Sequence, residues 1–298
     1  MAQIAAVIVT YNRLNLLKKC IESLHAQTVR PDRIIVINNG STDGTGSWLD
    51  TQNDLHVIHG ENIGSAGGFN KGMKQAYGMG YEWIWVMDDD GFPDENCLET
   101  LLDAGYSYGN NAVLCPVCLV DNETGELSFH FRHNGVEYNH FSHLKKDFAH
   151  EAENYSCFMN GILFKRSTIE KCGLPRPEYF IWGDEDEYTI RIREHGIKIV
   201  SILAARFFHP KDRMPIKKYI GNSYVFAGPF DWKAYCYFRN WANMIKDKSR
   251  LYGVRQAIVQ FVFYLLNFPL GKNFRYAGNF LSAYLDGLKG DFSKKLPF

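Results

Sequence analysis

Three consecutive carboxylates, Asp88-Asp89-Asp90, close the apolar run Trp83-Ile84-Trp85-Val86-Met87. Like charges packed so closely repel, and the cluster is costly unless a cation neutralises it. In extended chain, residues two apart share a face, so Asp88 and Asp90 would point together and share one divalent metal, with Asp89 turned away. The competing reading is a solvated acidic turn, because Asp commonly precedes a glycine such as Gly91. The apolar lead-in favours a buried strand whose end opens into a site. A second acidic run, Asp184-Glu185-Asp186-Glu187, suits the first turn of a helix, where the macrodipole favours acids.

The elements that must position these groups are legible as alternating patterns. Residues 4–9, 33–37 and 55–58 are short apolar runs. Leu14, Leu17, Ile21 and Leu24 recur at helical spacing, the segment 38–46 is rich in turn residues, and 64–77 looks helical after a glycine-rich entry. This alternation predicts an α/β fold, a parallel sheet covered by helices on both faces. Ligands of such sheets bind at the carboxyl ends of the strands. Thr10-Tyr11-Asn12, Asn38-Asn39-Gly40-Ser41 and the aspartate triplet should therefore converge on one crevice. Residues 110–165 read as an antiparallel insertion with a turn at 122–125. Residues 181–194 read as an acidic helix, and 198–208 as a strand pair ending at His209-Pro210. Three helices follow at 231–249, 253–267 and 274–288.

The 298 residues allow one large domain, or a domain with an appendage. Lys plus Arg and Asp plus Glu balance at 33 each, so no global field points to nucleic acid. Seven cysteines without a dense framework fit a reduced, cytoplasmic protein. The N-terminal run reads as a first strand and lacks the basic region of a signal peptide. No run of about 18 apolar residues exists, so no transmembrane helix is expected. Aromatic residues make up 15%, which suits aromatic-lined clefts or a membrane-facing surface. The stretch 251–270, aromatic and aliphatic between basic flanks, reads as a membrane-surface contact, an oligomer contact, or a face packed on the rest of the chain. Cys115-Pro116-Val117-Cys118 is a lone C-x-x-C with no second pair to complete a zinc site. His130, His133, His140, His143 and His150 include pairs three apart but lack fitting cysteine partners.

Val7-Ile8-Val9-Thr10-Tyr11-Asn12-Arg13, followed by Ile35-Val36-Ile37-Asn38-Asn39-Gly40-Ser41-Thr42-Asp43-Gly44-Thr45, resembles the opening of family 2 glycosyltransferases. Asn62-Ile63-Gly64-Ser65-Ala66-Gly67-Gly68-Phe69-Asn70-Lys71-Gly72 is similar to the glycine-rich segment of rhamnosyl- and galactofuranosyltransferases in that family. Met87-Asp88-Asp89-Asp90 resembles the galactofuranosyltransferase aspartate motif. The segment from Tyr179 to Tyr188 resembles the acidic segment carrying the catalytic base, and Phe207-Phe208-His209 sits where those enzymes place a metal-ligating histidine. Five ordered motifs span roughly residues 4–210. Tyr237-Phe238-Arg239-Asn240 and the run from Ala283 to Leu288 resemble rhamnosyltransferase-like members more loosely.

The resemblance implies a GT-A, Rossmann-like nucleotide-sugar-binding domain at 1–215 with a mixed, mainly parallel central sheet, and a helical C-terminal region at 216–298. It implies an inverting transfer in which Asp88, Asp90 and His209 hold Mn²⁺ or Mg²⁺, the mixed ligand set favouring Mn²⁺; an ordinary strand-end histidine is the other reading of His209. Asp89 would touch the sugar or ribose. Thr10, Tyr11 and Arg13 would supply main-chain contacts, ring stacking and phosphate pairing. Asn38 stands where the family has an aspartate, and its carbonyl can still accept the pyrimidine N3–H, without charge. Asn62, Gly64, Gly67 and Gly68 would let backbone approach the nucleotide, though such a run is equally a tight helix entry. The base falls at Glu185, with Asp184 second. Trp182 is a stacking platform for an acceptor sugar or a core aromatic. The histidine-bearing middle reads as an acceptor-facing loop.

The expected donor is UDP-galactofuranose, with dTDP-rhamnose as the alternative. The acceptor would be a glycan or lipid-linked glycan of a bacterial surface polysaccharide. The expected setting is cytoplasmic, peripheral at the inner face of the membrane through the C-terminal helices, with homo-oligomer formation open. A nucleotidyltransferase is the rival enzyme, yet Thr10–Arg13 lacks the basic, glycine-rich loop a triphosphate needs. A non-catalytic sugar-binding subunit is the other rival, and the retained acids and His209 argue against it.

Overall fold

The computed structural model describes residues 3–121, 123–134, 136–153, 159–211, 214–219, 224–246 and 250–294. Asn122 of the expected 122–125 turn, and the end of the expected 231–249 helix, lie outside them. Two compact units form: residues 1–177 with 188–212, and residues 178–187 with 213–298.

In chain order the elements are β1 (Ile4–Thr10), α1 (Leu14–His25), β2 (Arg33–Asn38), α2 (Thr45–Leu49), β3 (Leu55–His59), α3 (Gly64–Gly78), β4 (Trp83–Asp88), β5 (Phe92–Pro93) and α4 (Cys97–Tyr108). There follow β6 (Ala112–Leu119), β7 (Glu126–His133), β8 (Val136–His140), α5 (Phe141–Asp147), β9 (Glu151–Glu153), β10 (Asn160–Lys165), α6 (Arg166–Cys172), α7 (Asp184–Glu194) and β11 (Lys198–Phe208). The chain ends with β12 (Ile216–Lys218), β13 (Tyr224–Phe226), α8 (Trp232–Ile245), α9 (Arg250–Leu265) and α10 (Leu270–Lys289).

The first unit is an α/β fold on one mixed sheet, in the order β3-β2-β1-β4-β10-β6-β11-β5. Strands β1 to β4 run parallel, β6 and β11 are parallel, and β10 is antiparallel to both its neighbours. Strand alternation builds a core on each face. Ile4, Ala6 and Ile8 of β1 and Trp83, Trp85 and Met87 of β4 face Leu17 and Leu24 of α1 and Leu98 and Leu101 of α4. Ala5, Val7, Val9, Ile84 and Val86 face Phe69 and Met73 of α3, Ile169 of α6 and Ile192 of α7. Glycines set how closely α3 lies on the sheet. A Cβ at Gly68 would stand 2.5 Å from Val9 Cγ1, and one at Gly72 would collide with Val7.

Several sequence expectations need correction. The 110–165 segment is not an insertion, because β6 and β10 are interior strands of the main sheet. Within it, β7 and β8 form an antiparallel excursion at the sheet's margin, and β9 pairs antiparallel with β11. Residues 198–208 make one strand, not a pair; a register shift between Ile202 and Arg206 bends it without ending it. Helix α7 begins at Asp184 rather than at 181, because Trp182 and Gly183 adopt φ of 58° and 91°. Cys115 and Cys118 are buried in opposite face cores, so they cannot share a metal or a disulfide. His130 pairs with Glu137 at 3.1 Å, and among the described residues no histidine cluster is arranged around a metal.

The second unit has an aromatic core. Phe226, Phe238, Tyr264 and Phe280 are buried together, with ring centroids 4.9 Å apart for Phe238–Tyr264 and 4.6 Å for Phe238–Phe280. The two-stranded β12–β13 sheet was not expected from sequence.

Candidate active site

Parallel register brings the polar strand ends together. Thr10 stands opposite Asn38 across β1 and β2, and Val9 opposite Asp88 across β1 and β4. All three ends lie on the carboxyl edge, where parallel sheets bind ligands. β4 stops at Asp88, and Asp89 and Asp90 form a turn closed by a 3.4 Å bond from the Gly91 N–H to the Asp88 carbonyl. The triplet is therefore not the extended chain that the alternation argument assumed. Gly91 is required next, since a Cβ there would collide with the Phe207 ring.

Asp89 is 3% exposed, and its carboxylate accepts from the Thr10 hydroxyl at 2.7 Å and the Arg13 guanidinium at 3.1 Å. The same guanidinium reaches Asp90 Oδ2 at 2.6 Å, and His209 Nε2 lies 3.3 Å from Asp90 Oδ1. His209 Nδ1 donates to the Pro210 carbonyl at 2.6 Å, which leaves Nε2 facing the acids. Arg13, expected on a phosphate, thus lies on two aspartates. Burial and then the charges of Asp90 and Asp89 push Asp88 up to about 8. Burial raises Asp89 to about 6 despite Arg13 and Thr10. Burial would raise Asp90 too, but His209 and Arg13 hold it below the usual carboxylate range. Burial would lower His209, and Asp90 and Asp88 raise it instead.

Among the described residues, no three ligating side chains stand ready around one point. The donor set still fits a divalent cation. Three carboxylates face one arginine and one histidine, an excess of acid over base that a divalent cation would balance.

On the nucleotide side, Asn38 is 4% exposed. Its Oδ1 accepts from the Ser41 N–H at 3.1 Å, and its amide lies 3.0 Å from His59 Nδ1. His59 Nε2 in turn lies 3.0 Å from Asp50. This relay from His59 to Asp50 was missed in sequence, and only the strand-end position of His59 hinted at it. Tyr11 is exposed. Asn62 Oδ1 accepts from the Gly64 N–H at 3.0 Å and shapes the entry to α3. At Gly67 a Cβ would stand 2.9 Å from the Ile63 side chain. Gly64 adopts φ of 74°. These glycines serve the helix entry and its packing.

The acidic segment belongs to the second unit. Asp184, 2% exposed, opens α7, and its Oδ2 has no hydrogen-bond partner. Burial, reinforced by Asp186 and Glu187, pushes it up to about 6 against hydrogen bonds from its own and the Glu185 N–H. Glu185 is half-buried. The Trp182 ring packs at 5.6 Å from Phe226 with the Lys233 ammonium 5.7 Å from its centroid, and stays partly exposed.

Among known proteins, the sequence model described as Glycosyl transferase family 2 matches residues 5–173. The galactofuranosyltransferase GlfT1 of Mycobacterium tuberculosis is 35% identical over 211 residues, 69% of this chain and 69% of that protein. The Mycolicibacterium smegmatis GlfT1 is 29% identical over 88% of this chain and 89% of its own length. S. aureus TarS 1-349 in complex with UDP superposes with a TM-score of 0.59 at 14% identity, over 97% of this chain and 83% of that one. GalNAc-T7 with UDP, GalNAc and Mn2+ gives 0.60 at 13% identity, over 97% of this chain and 56% of that one. These two likenesses concern the fold. By the family match and the identity to the GlfT1 proteins, the chain is a glycosyltransferase and belongs to glycosyltransferase family 2.

Proposed function

We propose that this enzyme transfers galactofuranose from UDP-galactofuranose to a glycan or lipid-linked glycan of a bacterial surface polysaccharide, with inversion and with a divalent metal. The observation that carries the donor choice is the 35% identity, over 69% of the chain, to a protein named as a galactofuranosyltransferase. Asp88, Asp90 and His209 would hold Mn²⁺ or Mg²⁺, which when bound neutralises the leaving diphosphate. The excess of carboxylates over basic groups at Asp88, Asp89 and Asp90 supports that role. Thr10 and Arg13 fix Asp89, which meets the sugar or ribose. Arg13 also supplies positive charge to the diphosphate, Tyr11 stacks on the base, and Asn38 accepts from the pyrimidine N3–H. Asn62 and Gly67 shape the loop beside the nucleotide. The acceptor hydroxyl attacks C1 from the face opposite the diphosphate. Its proton passes to Glu185, or to Asp184, as the C1–O bond breaks and UDP leaves. Trp182 receives an acceptor sugar ring.

The acceptor is brought to the enzyme at an anionic membrane surface. Val254, Ile258, Val262 and Leu266 lie exposed at four-residue spacing along and just beyond α9. Residues 213–298 carry fourteen Lys and Arg against four Asp and Glu. An apolar stripe within a basic region is the pattern of helices that lie on a bilayer. Among the described residues, no helix is long and apolar enough to cross a membrane.

Crystals soaked with UDP and Mn²⁺ test the centre. Metal density between Asp88, Asp90 and His209, with the diphosphate upon it, is expected; UDP bound without metal there would remove the assignment.

A further inference from the structure

We propose that Arg239 and Asn240 of α8 are positioning residues for glycosyl transfer: they clamp the 178–183 turn and thereby fix where α7 presents Asp184 and Glu185. The inference rests on the assignment of the acceptor-activating base to that acid pair.

The turn is an unusual piece of backbone. Phe180, Trp182 and Gly183 have φ of 67°, 58° and 91°. For the two aromatic residues this left-handed region is strained, and it persists only where the surroundings enforce it. The enforcing groups are two side chains of α8. The Asn240 amide donates toward the carbonyls of Tyr179 at 2.8 Å, Ile181 at 3.1 Å and Trp182 at 2.7 Å. Arg239 Nη2 donates to the carbonyls of Tyr179 at 2.9 Å and Glu178 at 3.3 Å. Arg239 Nε donates to Asn240 Oδ1 at 3.0 Å, which orients the amide so that its nitrogen faces the turn.

Arg239 and Asn240 are 1% and 0% exposed. Burying a guanidinium and a carboxamide is expensive unless their donors are used, and here the Asn240 amide and Arg239 Nη2 are spent on carbonyls of one turn and Arg239 Nε on Asn240. An apolar pair would fill the volume without the desolvation cost but would leave those peptide planes free to rotate. The turn in turn leaves no room for a side chain. A Cβ at Gly183 would stand 3.1 Å from Asn240 Cβ, tighter than ordinary contact.

The link to the acids is short. Asn240 holds the Trp182 carbonyl, Gly183 follows, and the Gly183 carbonyl accepts the Glu187 N–H at 3.0 Å, an early bond of α7. Rotating the 182–183 peptide would therefore swing Asp184 and Glu185 together. Asp184 Oδ2 is buried without a hydrogen-bond partner, and the carboxylate's hydrogen bonds come from its own and the Glu185 backbone N–H, so its place follows the backbone at this helix start.

The test uses the full-length enzyme with Asn240→Ala and Arg239→Lys, alongside Glu185→Gln and Asp184→Asn. Circular dichroism and melting establish folding; kcat, donor KM and UDP affinity are then measured. Asn240→Ala is expected to lower kcat on the order of 100-fold, with donor KM and UDP affinity within about twofold. Arg239→Lys keeps the charge but loses the planar fork, and should lower kcat about tenfold; it carries the test if Asn240→Ala does not fold. A folded variant with kcat within about threefold of wild type overturns the clamp, as does an equal loss of kcat and UDP affinity. If an acid variant abolishes turnover while both α8 variants do not, the clamp alone falls. If both acid variants turn over normally, the base assignment falls and the clamp with it.

Discussion

Arg13 is the protein's own counter-charge to the aspartate triplet, bound to Asp89 and Asp90, while Asp88 keeps only remote compensation. The Thr10 hydroxyl completes the arrangement, and Thr10→Val should cost about 1–3 kcal/mol because it leaves part of the buried Asp89 carboxylate unpaired; urea denaturation reads this directly. Asp90→Ala should lower turnover by roughly 10²–10³-fold, the scale expected when an electrostatic stabiliser of the leaving group is lost, without unfolding the chain. Asp184 gives a pH signature. Its folded pKa, about 6, lies above the unfolded value. The folded state therefore holds a proton the unfolded state has lost, and stability falls as pH rises from about 4 to about 6, by at most roughly 3 kcal/mol. Asp184→Asn should lessen that decline in melts across the window, Asp89, raised to about 6 as well, keeping part of it; an unchanged slope would mean that Asp184 contributes none of it. The sequence showed these residues as types and spacings. It did not show that Arg13 would sit on carboxylates, or that Asp89 and Asp90 would lie in a turn, because both depend on where β4 stops.

At the scale of elements, the apolar runs of β1, β2 and β4 were legible because each is buried on both faces, and β3, a partly buried strand at the sheet's edge, because it stands between clear turn signals. Alternation within them then distributes residues between two cores. The glycine spacing in α3 was legible as a pattern but ambiguous in meaning. Geometry connects Gly68 and Gly72 to Val9 and Val7, so Gly72→Val should overpack the helix against β1 and destabilise by about 1–3 kcal/mol. A lowered melting temperature with donor affinity preserved per folded molecule is the expected outcome. The start of α7 was misread because a left-handed turn of Phe180-Ile181-Trp182-Gly183 has the same composition as a buried helix end. Interior strands β6 and β10 were misplaced for a related reason: pairing partners far apart in sequence leave no local trace, and β10 joins β4 across some seventy residues.

For the whole molecule, a formal net charge of zero conceals a division, since the basic excess of residues 213–298 is matched by an acidic excess in the remainder. Whole-chain composition could not reveal this, although it bears on where the enzyme works. The protein should sediment with phosphatidylglycerol vesicles at low salt, bind neutral vesicles weakly, and be released as ionic strength rises; Ile258→Asp with Val262→Asp should abolish the association while leaving turnover of a soluble acceptor intact. Sedimentation independent of lipid charge would contradict the electrostatic part of that account. The family was legible from five ordered motifs, and the donor expectation, UDP-galactofuranose, came from the same resemblance and not from any single residue. A donor panel therefore tests the central claim most directly: nucleoside diphosphate release with UDP-galactofuranose, UDP-galactopyranose and dTDP-rhamnose, in Mn²⁺ and in EDTA, with Asp90→Ala as control. Acceptor-dependent UDP release from UDP-galactofuranose alone is expected, lost in EDTA and in the variant. Turnover of dTDP-rhamnose in preference to UDP-galactofuranose, or full activity in EDTA, would contradict it.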